Sequence, residues 1–119
     1  MYAVVRADLH MPAGKLAAQA GHAYTDSLME CMDKRPDLFD RYRRGGNAGS
    51  KACLKAKNEA ALRRLADECA ASGVPHAVVV DSNHVLLPHF DGTPVMTAVG
   101  VGPVSRAEAR ALVKRFQCV

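Results

Sequence analysis

The segment from Val4 to Ala23 constrains the fold more than any other part of the chain. An apolar run, Tyr2 to Val5, reads as a buried strand, and with its flanks it spans Met1 to Arg6. The chain leaves it through Arg6, Asp8 and a Pro12-Ala13-Gly14 turn, then enters a helix whose first turn carries Lys15. Strand, turn and helix in that order are the building unit of α/β folds. Such folds place sites at this junction, because a helix N-terminus exposes unpaired N–H groups and the positive end of its dipole. A cation and polar side chains there point to an anionic or ester-bearing ligand.

The rest of the chain continues the alternation. The first helix is expected over about Gly14 to Met32, and Pro36 opens a short second one, Asp37 to Arg44. Gly45, Gly46, Asn47, Gly49 and Ser50 read as a flexible loop before a strand over Lys51 to Ala56. Asn58 caps a helix from Glu59 to Ser72, with Leu62, Leu65, Ala66 and Cys69 on its buried face and Gly73 and Pro75 ending it. A third strand, His76 to Val80, ends at Asp81, and an irregular loop follows from Ser82 to Pro94. A fourth strand covers Val95 to Val101. The last helix starts at Ser105, with Glu108 completing a capping box, and runs to about Gln117.

The order β-α-α-β-α-β-β-α predicts an α/β fold, a four-stranded mixed sheet with helices on both faces. At 119 residues, the chain is expected to be a single domain over 1–119 with one sizeable core. Ligands of such sheets sit at the carboxyl ends of strands. That rule places Asp8 and Lys15 after the first strand and Asp81 after the third.

Composition excludes several classes. No apolar run approaches the ~20 residues that span a bilayer. No basic stretch precedes a cleavable apolar one at the N-terminus, so a cytoplasmic location is expected. Cys31, Cys53, Cys69 and Cys118 show no metal-binding spacing and read as reduced thiols, most of them small core residues. Charge is uneven: residues 41–64 hold eight bases, Arg41, Arg43, Arg44, Lys51, Lys55, Lys57, Arg63 and Arg64, against the single acid Glu59. Such a stretch attracts polyanions. Aromatic residues make up only 5% of the chain, which disfavours a base-stacking platform and favours a phosphate cradle, the alternative being a solvated surface.

Two phosphate motifs fail on inspection. Gly14-Lys15 ends like a P-loop, but Leu9 stands where the first glycine belongs and Leu16 replaces the metal-binding hydroxyl. Gly100-Val101-Gly102 lies between a strand and a helix, but Ser105 replaces the third glycine and Pro103 removes an N–H. On the first helix, Lys15, Gln19, His22, Asp26 and Glu30 form one polar stripe, opposite Leu16, Ala20, Ala23, Tyr24 and Leu28. Lys15, Gln19 and His22 occupy the end nearest the expected cleft. Ala17, Ala18, Ala20, Gly21 and Ala23 supply small side chains for close helix–sheet packing.

The segment Val4-Val5-Arg6-x-Asp8-Leu9-x-Met11-x-x-Gly14-Lys15-x-Ala17-Ala18-Gln19-x-x-His22-Ala23 closely resembles the opening signature of the type-II peptidyl-tRNA hydrolases. Lys51 to Lys55 resembles that family's second strand, Leu62 to Gly73 its next helix, and Thr97-Ala98-Val99-Gly100-Val101-Gly102-Pro103 its T-x-x-G-I-G-P segment. The resemblance implies hydrolysis of the ester joining a peptide to the 3′-terminal ribose of tRNA, without metal or cofactor. It implies a site of Lys15, Gln19, His22, Asp81 and Thr97. The substrate would be peptidyl-tRNA, tracked by Arg41, Arg43, Arg44, Lys51, Lys55 and Lys57, with no membrane partner and a homodimer left open. The chain departs from the pattern after Asp81. Where the family has Ala-Gly-x-Thr, it has Ser82-Asn83-His84-Val85, so Val85 replaces a threonine, and the stretch from Pro88 to Thr97 is longer. Ser82, His84 and Thr93 are the candidates in that loop to compensate for the lost hydroxyl, and spacing does not choose among them. A non-catalytic protein that binds tRNA or a nucleotide ligand in the same cleft is the alternative reading.

Overall fold

The computed structural model describes residues 1–46 and 49–119. The chain runs β1 (Tyr2–Arg6), α1 (Ala13–Lys34), α2 (Pro36–Arg43), β2 (Ala52–Ala56), α3 (Glu59–Ser72) and β3 (His76–Asp81). It continues with β4 (Val85–Leu86), β5 (Phe90–Asp91), β6 (Val95–Val101), α4 (Arg106–Val113) and β7 (Gln117–Cys118). The fold class is the expected α/β one, with two corrections to the sheet. Its order is β3-β6-β1-β2-β7, five strands rather than four, and β4 and β5 pair separately as a small antiparallel ribbon.

The fifth strand comes from the tail. The last helix stops at Val113 instead of reaching Gln117, and the chain turns back so that Gln117 and Cys118 pair with Lys55 and Leu54. Helix periodicity alone could not reveal this, because the open edge of β2 decides it. The ribbon replaces the irregular loop expected over Ser82 to Pro94. Of the glycine-rich loop expected between α2 and β2, Asn47 lies outside the described residues.

β1 pairs in parallel with β2 and antiparallel with β6, which in turn runs antiparallel to β3. The carboxyl ends of β1, β2 and β3 therefore share one edge of the sheet, together with the start of β6. Alternation along β1 divides the core. Val4, with Leu54, Val99 and Val101, faces α3 and α4 through Leu62, Leu65, Ala109 and Leu112. Ala3 and Val5, with Val79 and Ala98, face α1 through Ala20 and Ala23.

The approach of α1 is unusually close. A Cβ placed on Gly100 would lie 2.0 Å from the Ala23 carbonyl oxygen, so only glycine fits there. One turn on, the buried Ser27 hydroxyl donates to the Gly102 carbonyl at 2.5 Å. Of the small residues assigned to this packing, Ala20 and Ala23 are buried, whereas Ala17, Ala18 and Gly21 face outward. The polar stripe is also corrected. Gln19 and Ser27 lie on the buried face of α1, each tied to the sheet by a hydrogen bond. Asn58 and Ser105 cap as their sequences require, accepting from the backbone N–H of Ala61 and of Glu108.

Candidate functional site

The shared carboxyl edge gathers the charged residues that the chain places after its strands. At the end of β1, the Arg6 guanidinium grips both oxygens of Asp8, at 3.0 and 2.9 Å, and donates to the Met96 carbonyl at 3.1 Å. This contact holds the Asp8 carboxyl below its ordinary value, the hydrogen bonds from Arg6 outweighing the effect of burial. Arg6 thus joins β1, β6 and the approach to α1, and Asp8 is its partner.

Lys15 and Asp81, 66 residues apart, meet across this edge. The ammonium Nζ lies 2.6 Å from Asp81 Oδ2, and the two side chains are only 11% and 20% exposed. A second contact comes from the ribbon: His84 Nδ1 lies 2.7 Å from the same Nζ. The Phe90 ring, itself buried, has its centroid 4.1 Å from that Nζ, a cation–π distance. Two of the three ammonium donors are engaged, leaving one.

Gln19 and Thr97 form the floor. Thr97 Oγ1 donates to Gln19 Oε1 at 2.6 Å, and both residues are buried, at 0% and 4% exposure for Thr97 and Gln19. The Gln19 amide nitrogen has no hydrogen-bond partner among the described residues, and Gln19 lines the adjoining pocket. That pocket encloses about 370 Å³ and is lined by Gln19, His22, Asp26 and the β3 residues up to Asp81. His22 is exposed at its rim and has no hydrogen-bond or ion partner among the described residues. The structure therefore brings together all five residues that the sequence singles out, in two linked pairs with His22 beside them.

The basic stretch is divided. Arg41 and Arg43 lie in the last turn of α2 and Arg44 follows it; the helix packs near Pro103 and Ser105 beyond the end of β6, the opposite edge of the sheet. There Asp40 accepts from Arg43 and Arg44, each at 3.0 Å. Lys51, just before β2, lies at that edge too. Lys55 and Lys57, at the end of β2, instead line a groove of about 430 Å³ with Arg64, Arg115 and Phe116. Arg64 and Arg115 share Glu68, whereas Lys55 and Lys57 have no ion partner among the described residues.

Sequence reasoning missed Phe90, and it offered His84 only as one of three loop groups, with Ser82 and Thr93, without showing which of them reaches the site. The signal available was the departure after Asp81, which the ribbon explains. Asn83, at φ 62° in the left-handed region that asparagine tolerates, turns the chain out of β3. Pairing of Leu86 with Phe90 and of Val85 with Asp91 then puts His84 and Phe90 on the inner face of the ribbon. Val85 faces outward, 66% exposed. Among the described residues, no group of three or more His, Cys, Asp or Glu is placed to hold a metal ion, and no helix is long and apolar enough to cross a membrane.

A mixed α/β sheet with a lysine–aspartate pair and a buried amide at its carboxyl edge defines the class of this protein. Residues 1–119 match the family model described as "Peptidyl-tRNA hydrolase PTH2", and the chain belongs to that family. A peptidyl-tRNA hydrolase of Haloquadratum walsbyi is 43% identical over 102 residues, 86% of this chain and 83% of its own. One from Methanocaldococcus jannaschii is 33% identical over 103 residues, 87% of this chain and 84% of its own. A protein of Schizosaccharomyces pombe described as probable peptidyl-tRNA hydrolase 2 is 32% identical over 105 residues, 88% of this chain and 49% of its own.

Proposed function

We infer that this chain is a hydrolase that cleaves the ester between a peptide, or an N-blocked aminoacyl group, and the 3′-terminal ribose of tRNA. The observation that supports it most is the Lys15–Asp81 contact of 2.6 Å at the carboxyl edge, in a chain of this family. Water adds to the ester carbonyl, the carbonyl oxygen takes negative charge, and the bond to the ribose oxygen then breaks as that oxygen gains a proton. Asp81 has one oxygen on Lys15 and the other to orient the attacking water. The remaining Lys15 donor and the Gln19 amide N–H group face the space where the oxyanion develops. Thr97 fixes Gln19 by accepting nothing from it and donating to its oxygen, so the amide nitrogen points to the pocket. His22 stands at the rim, within reach of the terminal nucleotide.

Lys55 and Lys57 are the natural contacts for the acceptor-stem phosphates, because they share the edge of the site and have no ion partner among the described residues. Arg41, Arg43, Arg44 and Lys51 would meet tRNA only farther along its body. On this reading the chain works as a single domain in the cytoplasm. A homodimer would use the free edge of β3, where Val78 and Val80 are 44% and 53% exposed. The test is incubation of the purified protein with N-acyl-aminoacyl-tRNA and chromatography for free tRNA. Release that depends on protein concentration is expected, and no turnover above buffer with protein in large excess would refute the assignment.

A further inference from the structure

We propose that His84 is a positioning residue for the Lys15 ammonium, and that it acts only as a neutral imidazole carrying its proton on Nε2. This rests on the role given to Lys15 above. An ammonium has donors and no acceptor, so a nitrogen 2.7 Å from Lys15 Nζ must accept. Nδ1 is then unprotonated, and the ring proton of the neutral form lies on Nε2. Lys15 is held by Asp81 Oδ2 at 2.6 Å, by His84 and by the Phe90 ring. Three contacts of different chemistry converge on one flexible four-carbon side chain and fix it.

The support for His84 is itself built. The Asn83 N–H donates to the Gly92 carbonyl at 3.0 Å, and the Gly92 N–H to the His84 carbonyl at 3.1 Å. The His84 ring meets the buried Phe90 ring edge-on, with centroids 6.0 Å apart. The charged groups facing the imidazole are Lys15 from α1 and Asp81 from β3, whose Oδ2 lies 3.9 Å from Nδ1. Within the ribbon, the Asp91 carboxylate is turned outward onto Thr93 and does not compete. Protonation turns Nδ1 from an acceptor into a donor. The imidazolium then repels Lys15 and competes for Asp81, so the lysine loses one partner and shares the other. Acid thus releases the ammonium from its productive position.

Two measurements test this. Nitrogen-15 imidazole NMR of the substrate-free protein, near pH 8, should show Nδ1 unprotonated and Nε2 protonated, and Lys15→Met should mix the tautomers. Hydrolysis is then followed from about pH 5 to about pH 9, the span over which an imidazole can change its charge. His84→Leu should lower kcat roughly tenfold with KM little changed. His84→Asn, whose Oδ1 replaces the Nδ1 acceptor and does not titrate, should restore most of that loss and shrink the fall in activity towards acid. A proton on Nδ1, or an Asn variant with the wild-type acid profile, overturns the proposal. The NMR result needs no turnover: a correct tautomer in a protein that does not hydrolyse would sink the function and keep the positioning, and the reverse pattern would do the opposite.

Discussion

Replacing Thr97 by Val isolates the bond on which the site floor depends. The two side chains have nearly the same shape, so no cavity opens, and the change is the loss of one hydroxyl. Thr97 is fully buried, and its Oγ1 is 2.6 Å from Gln19 Oε1, which is itself within a 4% exposed residue. Removing the donor leaves that oxygen desolvated and unpaired, at a cost of ~1–3 kcal/mol. For a chain of this length, each kcal/mol moves the Tm by roughly 3–6 °C. Thr97→Val should therefore lower the Tm by about 3 °C at the least. Gln19→Leu removes the other partner, and the double variant removes the unpaired group altogether. The double variant should be more stable than the sum of the single losses predicts, by about 1 kcal/mol or more in a double-mutant cycle. The assay is urea unfolding of all four proteins under identical conditions. A Thr97→Val loss below about 0.5 kcal/mol, or simple additivity, would refute the claim that this pair is a buried, mutually satisfying contact. Thr97→Val should also lower kcat, because an untethered Gln19 amide can rotate its nitrogen away from the pocket.

Lys15→Ala and Asp81→Ala should each reduce kcat by ~10²-fold or more, and the double variant should be little worse than either, since the pair acts as a unit; near-wild-type rates would remove both from the chemistry. Val85→Thr should change hydrolysis by less than about twofold, because the side chain faces away from Lys15; a larger gain in a steady-state assay would show that the ribbon turns its other face inward. Gly100→Ala should destabilise by about 3 kcal/mol in thermal unfolding, since the new methyl meets the Ala23 carbonyl rather than a movable side chain. Alanine at Lys55 and Lys57 should flatten the dependence of tRNA affinity on salt by about two units of log–log slope, whereas alanine at Arg43 and Arg44, already paired with Asp40, should change it by less than one. Asp8 has a lowered carboxyl pKa, so its contribution to stability is present above its ordinary value of 3.8 and is lost as pH falls through the lower folded value; Asp8→Asn should make acid unfolding shallower in that range.

The sequence by itself determined the pieces whose causes are local. Short apolar runs mark β1, β2, β3 and β6, and Asn58, Gly73 and Ser105 announce helix ends through hydrogen bonds and a left-handed turn that lie within a few residues of them. Lys15 and Asp81 were legible as site residues because parallel strands bring their carboxyl ends together, and because the opening motif resembles a known family. Tertiary structure decided everything that depends on a distant partner. The tail became a strand because β2 offered an open edge, although the local pattern favoured more helix. Gln19 looked like part of a wet stripe, yet Thr97, 78 residues away, let its amide be buried without leaving an oxygen unpaired. The basic stretch looked like one surface, and the sheet split it between opposite edges by running β2 through its middle. His84 joined the site because a short ribbon folded back over Lys15, and its register chose the imidazole over Val85. Local rules see spacing along the chain; which buried donor finds which acceptor is settled only when the elements pack.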